Sequence, residues 1–244
     1  MIEVLAPAKL TLTLRITGVR DDGYHEIDAE MVVLDLADVL TIDPDGSGIT
    51  VGGPYAEGVP ADASNLVARA LQLAGRSAGV HIDKRIPHGG GLGGGSADAA
   101  AVLRWAGFTD RVAASRLGAD IPFCMTGGRA WVRGIGEVVE STWYQPLEVT
   151  LVVPPLHVST PAVYRAWDDL GGPTADGPND LEPAALCVEP ALRGWRDRIA
   201  ELSGVVPVLA GSGATWFVPG RRDDALATLR GEGVAVVVAR TVPG

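Results

Sequence analysis

The sequence predicts an α+β fold in two parts, an N-terminal portion over residues 1–145 and a C-terminal portion over 146–244. Three observations carry this expectation. Strand-like alternation and helix-like runs interleave in both halves, as in Leu10-Thr-Leu-Thr-Leu-Arg-Ile16 and in Pro161 to Leu170. A new strand begins at Leu147, just past the boundary near residue 145. Hydrophobic residues make up 47% of 244 positions, enough for the cores of two modest domains and too many for a disordered chain.

Residues 2–17 alternate and read as a half-buried strand, with a turn at Asp21-Asp22-Gly23 and further strand-like runs from Ile27 to Ile42. Residues 43–63 read as a Gly/Pro-rich loop with room for one short strand. Ser64 or Asn65 can cap a helix over Leu66 to Ala74 that stops at Gly75. Gly79 to Ile86 alternates as a strand, and Ser96 to Trp105 has the alanine-rich character of a helix. A short helix is expected over Asp110–Arg116, a loop over Leu117–Phe123, and a strand over Ala130–Val139 with a turn or bulge at Gly134–Gly136. In the second half the strand Leu147–Val153 ends at Pro154-Pro155. A helix follows over Pro161–Leu170 with proline in its first turn, then helical pieces over Leu181–Leu202. Val205–Leu209 and Thr215–Val218 read as strands around Gly211-Ser-Gly213, Asp223–Leu229 as a helix, and Val234–Ala239 as the last strand.

Composition removes several classes of function. A net charge of −10 argues against a nucleic-acid groove, so any anion must be held by local backbone dipoles and a few placed cations. Met1-Ile-Glu-Val-Leu has no basic leader and no apolar run approaches 18 residues, so the expectation is a cytoplasmic protein without a membrane partner. Cys124 and Cys187 read as reduced thiols, and the four histidines form no metal-ligand cluster. Of 20 basic residues only Lys9 and Lys84 are lysines. Codon bias explains the arginines, but a lysine also suits a place where a compact ammonium fits and a guanidinium fork does not.

The segment Pro87-His-Gly-Gly-Gly-Leu-Gly-Gly-Gly-Ser-Ala-Asp-Ala-Ala100 is the strongest functional signal. Six glycines fill seven positions from Gly89 to Gly95, between the strand and the helix. Residues without Cβ let the backbone close on an anion, and free N–H groups at a helix start point toward it. Ser96 can act as N-cap, and its hydroxyl can also reach a phosphate. No lysine ends the loop as a Walker motif requires, and Asp110, about 20 residues on, sits in a turn and not at the strand end that a dinucleotide fingerprint needs.

Four separated segments share one explanation: Ala6-Pro-Ala-Lys9-Leu-Thr-Leu, Asp22-Gly-Tyr-His25, the glycine loop, and Leu117-Gly-Ala-Asp120-Ile-Pro-Phe123. Together they resemble the GHMP small-molecule kinases, named for galactokinase and the homoserine, mevalonate and phosphomevalonate kinases. Asn65-Leu66, Gly134-Ile-Gly-Glu137, Val158-Ser-Thr160, Asn179-Asp-Leu-Glu-Pro183 and Gly211-Ser-Gly213 extend the resemblance over nearly the whole chain. Asp-Gly-Tyr-His with Gly-Ala-Asp-Ile-Pro-Phe is similar to the branch whose alcohol substrate carries a cytidyl diphosphate. The resemblance implies a nucleotide-binding N-terminal domain, with the glycine loop between strand and helix, and a ferredoxin-like C-terminal domain. It implies an ATP-dependent kinase of isoprenoid biosynthesis, with magnesium arriving on ATP. Another alcohol substrate, or a nucleotide-binding protein without catalysis, are the competing readings.

The resemblance also implies roles. Asp120 is the expected catalytic base, or the carboxylate that orients the hydroxyl, and Lys9 its partner. Read locally, Asp120 could instead cap a turn and Lys9 could be an edge charge. ATP is expected on Pro87, His88, Gly89, Gly90, Gly91, Leu92, Gly93, Gly94, Gly95, Ser96 and Ala97, with Asn65 and Lys84 near adenine and ribose. The alcohol is expected on Thr11, Tyr24, His25, Tyr164, Ser212 and Gly213, with Tyr24 and Tyr164 stacking on cytosine and His25 meeting its edge. Thr11 stands where the family usually has Asn, and Ala97 replaces a serine. Gly94 and Gly95 occupy positions where several members hold magnesium with serine, so no protein metal ligand is assigned.

Overall fold

A computed structural model describes residues 1–87 and 90–244. The first strand, β1 (Ile2–Val19), pairs antiparallel along most of β2 (His25–Asp43). The other edge of β2 is divided. Its first half pairs with β5 (Arg129–Gly134), and its last residues pair with β4 (Gly79–Asp83). Short strands β3 (Ile49–Gly52) and β6 (Val138–Ser141) extend this sheet beside β4 and β5 respectively. Four helices accompany it: α1 (Leu66–Leu73), α2 (Gly94–Trp105), α3 (Arg111–Ser115) and α4 (Ile121–Thr126).

The second sheet is antiparallel, in the order β10 (Ala235–Arg240), β7 (Glu148–Val153), β9 (Trp216–Pro219), β8 (Val208–Leu209). Between β7 and β8 run α5 (Thr160–Asp169), α6 (Glu182–Val188) and α7 (Ala191–Ser203). The strands thus stand in sequence order fourth, first, third, second, with helices after the first. This is the ferredoxin-like arrangement. The expected helix over Asp223–Leu229 is not one: its place is taken by a 3-10 turn, Ala227–Glu232, which needs fewer residues to connect β9 to β10. The loop expected over Leu117–Phe123 is likewise corrected. Pro122 lies in the first turn of α4, where its missing N–H costs nothing, so the segment passes directly into helix.

The two sheets share a core. Ala8 and Leu10 of β1 and Val32 and Leu34 of β2 belong to one buried cluster with Leu151 and Phe217 of the second sheet. Residues 8–11 are buried without a break, because β1 is covered on both faces. Register shifts between Pro7 and Lys9 and between Thr11 and Thr13 re-aim this stretch. No helix among the described residues is long and apolar enough to cross a membrane.

Candidate active site

The glycine loop closes on α2. Gly93 is the N-cap, in a left-handed conformation (φ +69°), so the helix starts at Gly94. Ser96 is therefore not the cap, as expected from the sequence, but stands inside the first turn, its hydroxyl close to Gly118. Two glycines have a steric reason. A Cβ on Gly93 would fall 2.7 Å from Lys9 Cγ, and one on Gly91 (φ +77°) would fall 2.5 Å from the carbonyl oxygen of Ala210. The loop is thus wedged between β1 and the turn after β8, and the backbone N–H of Lys9 donates to the carbonyl of Leu92 at 3.0 Å. Pro87, Gly90, Gly91, Leu92, Gly93, Gly94 and Gly95 line a cavity of about 230 Å³. Ala97 is buried in α2 as part of the core. The expected contacts of His88 and Gly89 lie outside the described residues.

Asn65 lines the same cavity while capping α1. Its side-chain oxygen accepts from Val67 N at 2.8 Å, and its amide donates to Pro60 O at 2.6 Å. Lys84 is 3% exposed, and its ammonium is bound between two buried carboxylates, Asp38 and Asp98 (2.7 Å to Asp98). The sequence suggests a lysine near the adenine and ribose of ATP; Lys84 lines the first cavity from beneath the loop, 3.2 Å from where a Cβ on Gly94 would stand. Asp38 also accepts from the backbone N–H groups of Arg85 and Ile86 at 2.5 and 2.8 Å, which fixes the exit of β4. Burial opposes the charge on Lys84, but Asp98 and Asp38 more than offset it and raise its pKa. Burial pushes the Asp98 carboxyl up to about 7 against the pull of Lys84, and one Asp98 oxygen has no partner among the described residues.

Lys9 and Asp120 meet. Lys9 Nζ lies 3.2 Å from Asp120 Oδ2 and donates to the hydroxyl of Thr11, also at 3.2 Å. Asp120 is the residue from which α4 starts, and its side chain caps no N–H there. Thr11 is buried and braces the lysine. From the other sheet, the turn 211–213 approaches the same ammonium: a Cβ on Gly211 would be 3.8 Å from Lys9 Nζ. Asn179 holds that turn by donating to the carbonyls of Leu209 and Gly211 at 2.9 and 2.7 Å. The hydroxyl of Ser212 is 2.7 Å from that of Thr160, and Gly213 (φ +95°) completes the turn.

A second cavity, about 480 Å³, is bordered by Ala119, the residue before Asp120. Its walls include Tyr24, His25, Gly118, Thr160, Tyr164 and Asp168, with the arginines Arg116 and Arg165. Tyr24 is 59% exposed at the rim. The His25 ring packs on Tyr164, with centroids 4.7 Å apart and a tilt of 38°. Burial pushes the Tyr164 hydroxyl up to about 12, so it stays protonated. A third cavity, about 350 Å³, shares Gly91 with the first and Thr160 and Pro161 with the second, so the three adjoin past the turn that approaches Lys9.

Reading the sequence missed Asp38, Asp98, Thr160, Asn179 and Asp168 as site residues. Asp98 and Asn179 sit in segments that carry the resemblance, and charged or amide groups in otherwise apolar surroundings were the available signal. Asp38 and Asp168 left none, because their partners are remote in the chain.

The GHMP kinases N terminal domain model matches residues 63–128, the span that contains the glycine loop, α2 and Asp120. Fold and site thus define a kinase of the GHMP class. A solved 4-(cytidine 5'-diphospho)-2C-methyl-D-erythritol kinase superposes with a TM-score of 0.77 at 34% identity, covering 99% of this chain and 100% of that one. The L. major mevalonate kinase shares the fold, with a TM-score of 0.67 at 15% identity over 100% of this chain and 97% of its own. The 4-diphosphocytidyl-2-C-methyl-D-erythritol kinase of Paracoccus denitrificans (strain Pd 1222) is 39% identical over 231 residues, 87% of this chain and 84% of the relative. That of Jannaschia sp. (strain CCS1) is 39% identical over 237 residues, 87% and 86% respectively. The chain belongs to the 4-diphosphocytidyl-2-C-methyl-D-erythritol kinase family.

Proposed function

We propose that this chain transfers the γ-phosphoryl group of ATP to the 2-hydroxyl of 4-diphosphocytidyl-2-C-methyl-D-erythritol, in the cytoplasm, as a step of isoprenoid biosynthesis. The observation that carries this reading is the run of adjoining cavities, with the glycine loop at one end and aromatic rings at the other, and the Lys9–Asp120 pair set between Gly93 of the first cavity and Ala119 of the second. In this reading residues 1–145 hold ATP, and residues 146–244 close over the alcohol.

The steps follow from the groups present. The first cavity takes the nucleotide, with adenosine near Asn65 and the phosphates against the loop and the start of α2. Lys84 lines this cavity with Asp98, and, held by Asp38 and Asp98, it stiffens the floor beneath the nucleotide. The cytidyl end of the alcohol enters the second cavity, where Tyr24, His25 and Tyr164 offer stacking faces and hydrogen bonds. Thr160, Ser212 and Gly213 lie between, beside the methylerythritol unit. Asp120 accepts the proton of the reacting hydroxyl, or orients it toward the phosphorus. Lys9, fixed by Thr11, offsets charge that develops on the transferred phosphoryl oxygens.

Magnesium fits as a passenger on ATP. Among the described residues, Asp98, Asp120 and Ser96 offer side-chain oxygens near the loop, and both of these carboxylates already face lysines. Such a set suits an ion held mostly by phosphate and water oxygens. When bound, the ion neutralises phosphate charge.

The test is ATP consumption against a panel of alcohols. Release of ADP with the cytidyl alcohol, and not with homoserine, mevalonate or galactose, is the expected outcome. Turnover of one of the others in its place would assign a different GHMP kinase. ATP binding with no turnover on any would leave a nucleotide-binding protein without catalysis.

A further inference from the structure

His25 opens β2 in the first half of the chain, and Asp168 lies near the end of α5 in the second. Their side chains meet across the second cavity, His25 Nε2 standing 2.8 Å from Asp168 Oδ1. The imidazole is only 8% exposed, although the carboxylate is 45% exposed. Tyr164 covers one side of the ring, and Trp167 meets it edge-on at 5.5 Å. Tyr164, Trp167 and Asp168 are spaced three and four apart along α5, so one helix face supplies the stack, the edge and the hydrogen bond.

We propose that Asp168 is a positioning residue that fixes the tautomer of His25 and so makes this chain choose cytosine over uracil. The proposal rests on the reading that the cytidyl end of the substrate occupies this cavity. An ionised carboxylate has no proton to donate, so the hydrogen of the 2.8 Å contact belongs to His25 Nε2. In the neutral ring Nδ1 is then a bare acceptor. Nδ1 has no hydrogen-bond partner among the described residues, and His25 lines the cavity. An acceptor there matches the exocyclic amino group of cytosine, which donates. The same position in uracil is a carbonyl, and two lone pairs would face each other in a partly desolvated pocket. With the opposite tautomer Nδ1–H would donate and the preference would reverse. A site built for one hydrogen-bonding group rejects the analogue that lacks it far better than an apolar wall does.

The test uses Asp168→Ala and Asp168→Glu, with the cytidyl and uridyl forms of the alcohol substrate, and the His25 ring nitrogens followed by NMR. Wild type should show the Nε2–H tautomer and prefer the cytidyl form. Asp168→Ala should keep its fold and its kcat on the cytidyl substrate, raise KM for it, lose the Nε2–H signature, and narrow the cytidyl-to-uridyl ratio of kcat/KM by about tenfold, the size of one lost hydrogen bond. Asp168→Glu, which restores a carboxylate, should recover part of the ratio. Three results overturn the proposal: an Nδ1–H tautomer in wild type, an unchanged ratio in Asp168→Ala, or a fall in kcat alike on both substrates. If wild type turns over neither nucleotide alcohol but does phosphorylate another, the assignment of the cavity to a pyrimidine fails, and the inference fails with it.

Discussion

Lys9 Nζ and Asp120 Oδ2 stand 3.2 Å apart, one on the first strand and the other at the start of α4. If they act as a unit on the reacting hydroxyl, Asp120→Asn should lower kcat by roughly 10²–10⁴-fold, the range for loss of a general base. ATP affinity should stay near wild type. Lys9→Ala should lower kcat as well, and the double variant should be little worse than the worse single. Lys9→Arg should not rescue, because the site is closed by Gly93 and Gly211 and has no room for a planar fork. Single-turnover kinetics check this, and near-normal turnover in Asp120→Asn would place the chemistry elsewhere.

Gly93→Val should abolish ATP binding. The new side chain meets Lys9 Cγ at 2.7 Å, in a left-handed conformation that branched residues resist. Gly107→Ala is the control, since Gly107 has φ +73° with open space around its Cβ position. It should cost about 1 kcal/mol of stability from backbone strain alone and leave ATP binding intact. Calorimetric titration with ATP separates the two, and equal affinity in a folded Gly93→Val protein would remove the loop from the nucleotide site.

Tyr164→Ala should weaken the cytidyl substrate by about 1–3 kcal/mol, the usual worth of one aromatic face against a base. The loss should appear in KM for the alcohol and not in KM for ATP. Tyr24→Ala should act in the same direction but less, because Tyr24 is at the exposed rim. An alcohol KM unmoved in both variants would mean that no base lies between these rings.

Asp98 predicts a pH dependence of stability. Burial raises its folded pKa from 3.8 to about 7, so between these values the native state holds a proton that the unfolded chain has lost. The contribution of Asp98 to stability is therefore complete below about pH 4 and is lost as pH rises through about 7. Asp98→Asn removes this slope while leaving the Lys84–Asp38 pair in place. The Tm of wild type minus that of Asp98→Asn should fall between pH 4 and pH 7 and level off above. A difference constant across that window would show that Asp98 does not take up a proton there.

Much of the fold was legible because its signals are local. The alternation of β1, the Asn65 cap of α1 and the proline in the first turn of α5 depend on near neighbours, and they appear where the pattern predicts. The errors have local causes too. Gly93 accepts a left-handed conformation, so α2 begins before Ser96, and Pro122 starts a helix in a segment that reads as loop. At the candidate site, Lys9 and Asp120 were legible as motif residues and, through the resemblance, as partners, and they stand 3.2 Å apart; that Thr11 and the turn 211–213 close in on the same ammonium was not legible.

By itself the sequence determined the residue types and their order: a glycine run between strand and helix, two lysines among many arginines, and an aspartate before Ile-Pro. Those depend on backbone freedom and local propensity, which act over a few residues. Only the tertiary structure decided what each charge faces. Lys84 could have reached bulk solvent, but it is held by Asp38 and Asp98 at the floor of the first cavity, while Lys9 faces Asp120. A buried ammonium needs carboxylates close by, and these come from strands and helices far apart in the chain, so packing chooses the partner and with it the role.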